Sequence, residues 1–381
     1  MTQMRCSAAA LAVVLASVFL LSASQARAEE TPKSEATAHP VYKLPEGARF
    51  TEAEVRIPRK GGGAGGEAEG DFEIAGTLNL PVEGKRPFAA VLFVSGSGTQ
   101  DRHGFTPGMT RGTVGLDCGS WELLDAVAGA GFAVLRTDDR GSGSTPLGPA
   151  GVGPSDIGYQ ALLGDARACL HWLMRRPEID KQRIFIIGHS EGGITAPLLA
   201  SEEGSAVAGV VCLAGCGRNF YDVIYDQVAE ATIVQPPEMR ESTLRLQKEL
   251  MNATREGREP DYAVVPSALW NRPDVVASRT WMREHFNLDL TAMHKRVACP
   301  VFVANGESDM QVSPERDARL LGAEFAQGSC KDVTLRLYPD LDHLFKACGG
   351  RKSTIQMYAE KRPIDPAFLR DLLAWLNERA R

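Results

Sequence analysis

The chain has no residue pattern for metal binding or for a redox disulfide: CxxC does not occur, and none of its seven histidines falls in HExxH. A basic excess is missing as well. Its 381 residues carry 48 acidic and 42 basic side chains, a formal charge of −6, so there is no surplus to release counterions from a phosphate backbone. Nucleic acid is not an expected partner. With 44% hydrophobic and 24% charged residues the composition is near the globular average, which excludes a collagen-like, disordered or polytopic membrane chain.

What is present begins with a targeting pattern. Arg5 precedes an apolar stretch from Ala8 to Leu21, and Ala26-Arg27-Ala28 gives the small-x-small form of a cleavage site. Residues 1–28 therefore read as a signal peptide. The apolar part is shorter than the about 20 residues of a spanning helix, so the expectation is an exported protein, periplasmic or secreted, with no stable membrane insertion after cleavage. Seven cysteines remain beyond this segment: Cys118, Cys169, Cys212, Cys216, Cys299, Cys330 and Cys348. An odd number cannot all pair within one chain. One or two disulfides are compatible with export, Cys330 with Cys348 being the first pair to test, while Cys212 and Cys299 suit buried free thiols.

Residues 29–48, rich in Ala, Thr, Pro and Glu, predict a flexible or surface-draped lead-in. Between Phe50 and Leu80 two strand-like runs flank Gly61 to Gly66 and predict a hairpin. That glycine cluster formally satisfies GxGxxG, but it follows Arg59 and Lys60 and opens no apolar helix, so it reads as a loop. Short apolar runs follow at Ala89–Val94, Ala133–Arg136, Ile184–Ile187, Val210–Leu213, Val301–Val303 and Val333–Leu337. Continuous Val/Ile/Leu runs with helical spacers predict a mostly parallel sheet covered on both faces. Helices are expected after a Ser155 cap, over Trp121–Ala130, and over Pro366–Arg379 with Asp365 as cap. The 84 residues between Gly215 and Pro300 are too many for a structureless loop and predict an inserted helical subdomain, 216–298, within a core of 49–215 and 299–381.

Chemistry concentrates in Gly188-His-Ser190-Glu-Gly192, where an apolar strand runs into G-x-S-x-G and then a helix-compatible segment. A serine in such a tight strand-to-helix turn projects its hydroxyl above the sheet edge, and the helix N-terminus points free N–H groups at the same spot. A serine needs a base to take its proton and a carboxylate to orient that base. Asp309, just past the Val301 strand, and His343, past the next, stand at strand carboxyl ends in the required order. Glu307, Asp340 and Asp342 are neighbouring carboxylates that compete with Asp309 for the role. Two donors for an oxyanion are expected from the backbone N–H groups of Glu191 and of Ser97, the latter in Ser95-Gly-Ser-Gly98, with Gly98 as the alternative.

These pieces resemble the α/β-hydrolases, in particular bacterial exported esterase-like proteins near the dienelactone-hydrolase and prolyl-oligopeptidase-like branch. The matching residues are Ser95-Gly-Ser-Gly98 with Asp101-Arg102, the Asp138–Ser144 turn, Gly188–Gly193, Gly306-Glu-Ser-Asp309 and Asp342-His343. The resemblance implies an α/β-hydrolase fold with an N-terminal hairpin and a helical cap insertion over the site. It also implies a triad of Ser190, Asp309 and His343 with an oxyanion hole at Ser97 and Glu191. Ser95 stands where lipases often have His. Arg140, directly after Asp138 and Asp139, is expected to tie loops together rather than touch substrate. Phe220, Tyr221, Tyr225, Trp270 and Trp281 of the insert suit either an acyl pocket or a small core.

The function expected is a serine hydrolase that cleaves small to medium carboxylic esters through an acyl-enzyme, with no cofactor and no metal. A serine peptidase, an acyltransferase or a thioesterase on the same fold are the alternatives, and a non-catalytic binding protein is the reading from a different class.

Overall fold

The computed structural model describes residues 42–60, 71–106 and 116–381. The signal-peptide segment, the glycine cluster 61–66 and the lead-in before Tyr42 lie outside the described residues. At the end of the lead-in Tyr42 drapes on the core. Tyr42 lies over the guanidinium of the fully buried Arg136 at 4.7 Å and its hydroxyl donates to Asp125 Oδ1 at 2.9 Å. A buried cation needing partners holds this stretch of chain in place.

The strands are β1 (Phe50–Arg59), β2 (Phe72–Pro81), β3 (Phe88–Val94), β4 (Phe105–Thr106), β5 (Leu116–Asp117), β6 (Ala133–Thr137), β7 (Ile179–His189), β8 (Gly209–Leu213), β9 (Val301–Gly306) and β10 (Val333–Tyr338). β4 and β5 form a separate small pair; the other eight make one sheet in the order β1-β2-β6-β3-β7-β8-β9-β10. The expected hairpin, β1 with β2, is antiparallel, as is β2 with β6. From β6 onward every pairing is parallel.

Alternate residues of the central strands enter two different cores. In β7, Ile184 and Ile186 face one side while Phe185 and Ile187 face the other, all fully buried. This two-sided burial is what makes the strands read as unbroken apolar runs. Helices α1 (Ser120–Gly129) and α10 (Pro366–Arg379) cover the second face. Helices α2 (Tyr159–Met174), α3 (Gly192–Glu203) and α9 (Arg319–Gln327) cover the first. Asp365 caps α10 as its sequence predicts, its Oδ1 accepting the N–H groups of Ala367 and Phe368 at 2.9 Å.

Between β8 and β9 there are five helices and no strand: α4 (Phe220–Ala231), α5 (Pro237–Glu256), α6 (Ser267–Trp270), α7 (Pro273–Phe286) and α8 (Leu290–Arg296). Their apolar residues, among them Phe220, Leu250 and Trp281, join the same core as α2 and α3. Asn219 fastens the entrance of this insert to its far end: its Nδ2 donates to the Leu288 carbonyl at 3.1 Å while its Oδ1 caps α4 through Tyr221 N at 2.8 Å.

Two sequence expectations need correction. The start of α2 is not capped by Ser155: residues Pro154–Asp156 form a separate 3-10 turn, and Gly158 precedes the helix. The N-terminal N–H of Gln160 is met at 2.7 Å by Glu284 Oε2 of α7, and a Cβ on residue 158 would stand 2.3 Å from that oxygen. The capping group comes from the insert. Secondly, Cys330 and Cys348 are not joined; all seven described cysteines are free. Cys330 precedes β10 and its thiol donates to the Cys299 carbonyl at 3.1 Å, whereas Cys348 lies past the strand's other end, where its N–H meets the Asp340 carbonyl. A strand of this length separates its ends by about 20 Å, far beyond disulfide reach.

Candidate active site

The tight turn after β7 places Ser190 at φ 55°, a left-handed conformation that a non-glycine residue adopts only where its surroundings impose it. Its N–H is held by the Leu213 carbonyl at 2.8 Å, at the end of the adjacent strand. The glycines on either side are fixed by close approach. A Cβ at Gly188 would lie 1.9 Å from the Gly192 carbonyl oxygen, and one at Gly192 would lie 2.2 Å from the Val94 carbonyl oxygen. Helix α3 then begins directly beneath Ser190, with residues Gly192 to Ala200 all buried. The helix continues through Pro197.

Asp309 and His343 are brought together at the carboxyl ends of β9 and β10. His343 Nδ1 donates to Asp309 Oδ2 at 2.8 Å, with both side chains buried. Asp309 is anchored by its own loop: Oδ1 accepts from Gln311 N at 2.7 Å and Val312 N at 3.0 Å, and Oδ2 also accepts from Asn305 Nδ2 at 3.3 Å. The competing carboxylates are otherwise engaged. Asp342 accepts from Leu344 N, Lys346 N and Arg362 Nη2, Asp340 accepts from Gly349 N and Gly350 N, and Glu307 is exposed.

Sequence reasoning missed His189. Its Nε2 donates to the His343 carbonyl at 2.9 Å, and the two imidazoles lie 4.8 Å apart, so the residue before Ser190 clamps the backbone of the histidine. Burial, with a smaller contribution from the His343 charge, pushes the His189 pKa down to about 4, which leaves it neutral. A histidine at the first x of G-x-S-x-G was the visible signal. Among the described residues none hydrogen-bonds the Ser190 hydroxyl, a contact that often closes only with substrate in place.

The loop after β3 passes directly over the turn: a Cβ at Gly96 would be 3.1 Å from Ser190 Cβ. Ser95, at the position where lipases often have His, directs its hydroxyl to both oxygens of Asp139 at 2.9 Å, and Asp139 also accepts from Gln100 N at 2.8 Å. Burial raises the Asp139 pKa to about 8 against these donors. Ser97 sits in this loop with its hydroxyl buried, facing the Glu191 carboxylate without reaching hydrogen-bond distance.

The carboxylate of Glu191, beside Ser190, turns to the insert. Its Oε1 accepts from Trp281 Nε1 at 3.0 Å and is 2.9 Å from His285 Nε2, both on α7. Burial opposes its ionisation, but His285 and the hydrogen bonds from His285 and Trp281 prevail and hold its pKa below the usual carboxylate range. The Asp138–Ser144 turn is structural, as expected for Arg140: Arg102 grips Asp138 through Nε and Nη2 at 2.9 and 2.8 Å, and Arg140 pairs with Asp165. Phe220, Trp270 and Trp281 are buried in the core, while Tyr221 and Tyr225 are half-buried against it.

Two hollows flank the site, and neither is lined by Ser190 or His343. A small one of about 90 Å³ lies behind the β3 loop, bordered by Ser95, Gly98, Asp139, Glu191 and Trp281. A cleft of about 510 Å³ opens against the Asp309 loop, between Arg218, Gln227 and Arg240 of the insert and Gln311 and Ser353 of the core. Among the described residues no His, Cys, Asp and Glu cluster is arranged to hold a metal ion, and no helix is long and apolar enough to cross a membrane.

An eight-stranded, mostly parallel sheet with a strained serine turn after its β7 strand defines an α/β-hydrolase. A family model named Hydrolase_4, described as serine aminopeptidase, S33, matches residues 120–346, more than half of the chain, and the chain belongs to that family. Esterase EstD from Thermotoga maritima is 25% identical over 304 residues, covering 80% of this chain and 65% of EstD. An uncharacterized protein of Mycobacterium tuberculosis is 37% identical over 82 residues, 22% of this chain and 26% of that protein. The chain thus spans less than two thirds of either relative. Among solved structures, an esterase from Pyrococcus furiosus aligns with a TM-score of 0.54 at 14% identity, covering 92% of this chain and 100% of its own. A hypothetical protein from Pseudomonas aeruginosa aligns with a TM-score of 0.53 at 15% identity, covering 91% and 100%. These two likenesses concern the fold.

Proposed function

We propose that the protein is a serine hydrolase of small carboxylic esters, with Ser190 as nucleophile, His343 as general base and acid, and Asp309 as the group that orients His343. The observation that carries this reading is the 2.8 Å bond from His343 Nδ1 to Asp309, made at the same sheet edge as the strained Ser190 turn. With Nδ1 occupied, the imidazole offers Nε2 to the serine hydroxyl. Ser190 Oγ attacks the ester carbonyl as His343 takes its proton. The oxyanion is met by the backbone N–H groups of Glu191 and Ser97. His343 then protonates the departing alcohol, and the same base activates the water that hydrolyses the acyl-enzyme. EstD, which aligns over 80% of this chain, is named an esterase.

A fluorophosphonate probe tests the assignment. The wild-type protein is expected to be labelled at Ser190 and to hydrolyse p-nitrophenyl esters, and Ser190→Ala to lose both; labelling that persists in Ser190→Ala overturns it. The family's description favours a second reading, release of N-terminal residues from peptides. Amino-acid p-nitroanilides run beside the esters separate the two.

A further inference from the structure

The underside of α7 meets the core through four side chains on one helical face. Thr280 Oγ1 donates to the Ser155 carbonyl at 2.8 Å, and Glu284 accepts from Gln160 N at 2.7 Å. Between them Trp281 and His285, one turn apart, converge on a single oxygen of Glu191. The first contact fastens the insert to the 3-10 turn before α2 and the second to the start of α2 itself. The other two fasten it to the residue that follows Ser190.

His285 is tightly seated: it is fully buried, with its ring centroid 3.9 Å from Tyr159, 4.8 Å from Phe220 and 4.9 Å from Trp281. Tyr159 in turn shares a 3.1 Å hydrogen bond with Thr195 in the first turn of α3. Glu191 is buried and carries a negative charge beside the place where an oxyanion would form. An unattended carboxylate there would oppose that second charge and would be free to swing, taking its own backbone N–H with it.

We propose that Trp281 and His285 are positioning residues of the oxyanion hole: by holding the Glu191 carboxylate toward the insert they fix the adjoining N–H and draw the carboxylate's charge away from the reacting carbonyl. Seating of the insert and competence of the oxyanion hole are then one event. This inference rests on the serine-hydrolase reading above, deepens it, and goes past the triad to residues about 90 positions downstream of Ser190.

The test uses the full chain with p-nitrophenyl acetate, measuring kcat, KM and the rate of fluorophosphonate labelling well below each variant's melting midpoint. His285→Leu is expected to lower kcat about 10- to 100-fold with KM within about threefold and labelling slowed in parallel, short of the loss seen when an oxyanion donor is removed outright. His285→Gln, whose amide can still donate to Glu191, should recover to within about fivefold of wild type, and Trp281→Phe, which removes only the N–H, should fall about 5-fold. Equal kcat in His285→Leu and His285→Gln, at whatever level, overturns the proposal because packing would then account for both. Should His285→Leu not fold, Trp281→Phe decides: an unchanged kcat overturns the proposal, and a reduced one supports it. A wild-type protein that neither hydrolyses the ester nor takes up the probe would instead refute the hydrolase reading itself.

Discussion

The two sides of the site are built in contrasting ways. On the acid–histidine side the buried carboxylates are satisfied by near neighbours in the chain: Asp309 by the N–H groups of Gln311 and Val312, Asp342 by those of Leu344 and Lys346. On the serine-turn side the partners are remote, Glu191 meeting Trp281 and His285 at separations of 90 and 94 residues, and Gln160 meeting Glu284 at 124. One side is set by local turns that form with the sheet. The other is complete only once the insert has docked.

The sharpest way to break this comparison is within the acid side. Asp309→Asn should lower ester turnover by about 10³–10⁴-fold, because the amide favours the wrong imidazole tautomer. Asp342→Asn, which disturbs a structural turn and the Arg362 pair, should change turnover less than about 10-fold and lower stability by about 1–3 kcal/mol. A comparable loss of turnover in Asp342→Asn, with Asp309→Asn near normal, would exchange their roles.

A smaller effect probes the clamp between the sides. His189 is held at about 4 in the fold against an ordinary value of 6.5, so below pH 6.5 the unfolded chain takes up the proton that the folded one refuses. The His189 contribution to stability should therefore fall on acidification from pH 6.5 towards 4, by about 2 kcal/mol at pH 4.5, and it is read as the difference in slope between wild type and His189→Gln. Denaturant midpoints at pH 7 and 4.5 check it; identical slopes remove His189 from the account. Asp139 acts with the opposite sign, and only the last part of its effect falls above pH 7. Its pKa, raised from 3.8 to about 8, means the folded state retains a proton that the unfolded state releases, so stability drops as pH rises through this window. Between pH 7 and 8 the loss should be about 1 kcal/mol. Asp139→Asn should flatten that limb, and a persistent slope would count against this origin.

The same division explains what the sequence disclosed. β7 and the Gly188–Gly192 turn are legible because two-sided burial and close backbone approach leave marks on adjacent residues. Asp365 is legible as the α10 cap for the same reason: the N–H groups it serves are two and three residues away. Ser155 misled because the group that meets the start of α2 is Glu284, and nothing near Ser155 records that. The pairing of Cys330 with Cys348 failed similarly, since their nearness in the chain conceals a whole strand between them. The tie from Trp281 and His285 to Glu191 was invisible: Trp281 reads as an aromatic of an acyl pocket or small core, and nothing near His285 in the chain records a carboxylate 94 residues away.

The free thiols carry a consequence for handling. Burial raises the pKa of Cys169, Cys212, Cys216, Cys299, Cys330 and Cys348, to about 12 for Cys299, and the thiolate is the form that reacts with oxidants and alkylating agents. The fold thus keeps these six thiols from ionising, and reductant or mild oxidant should leave them unchanged, with the half-buried Cys118 as the thiol open to reagent.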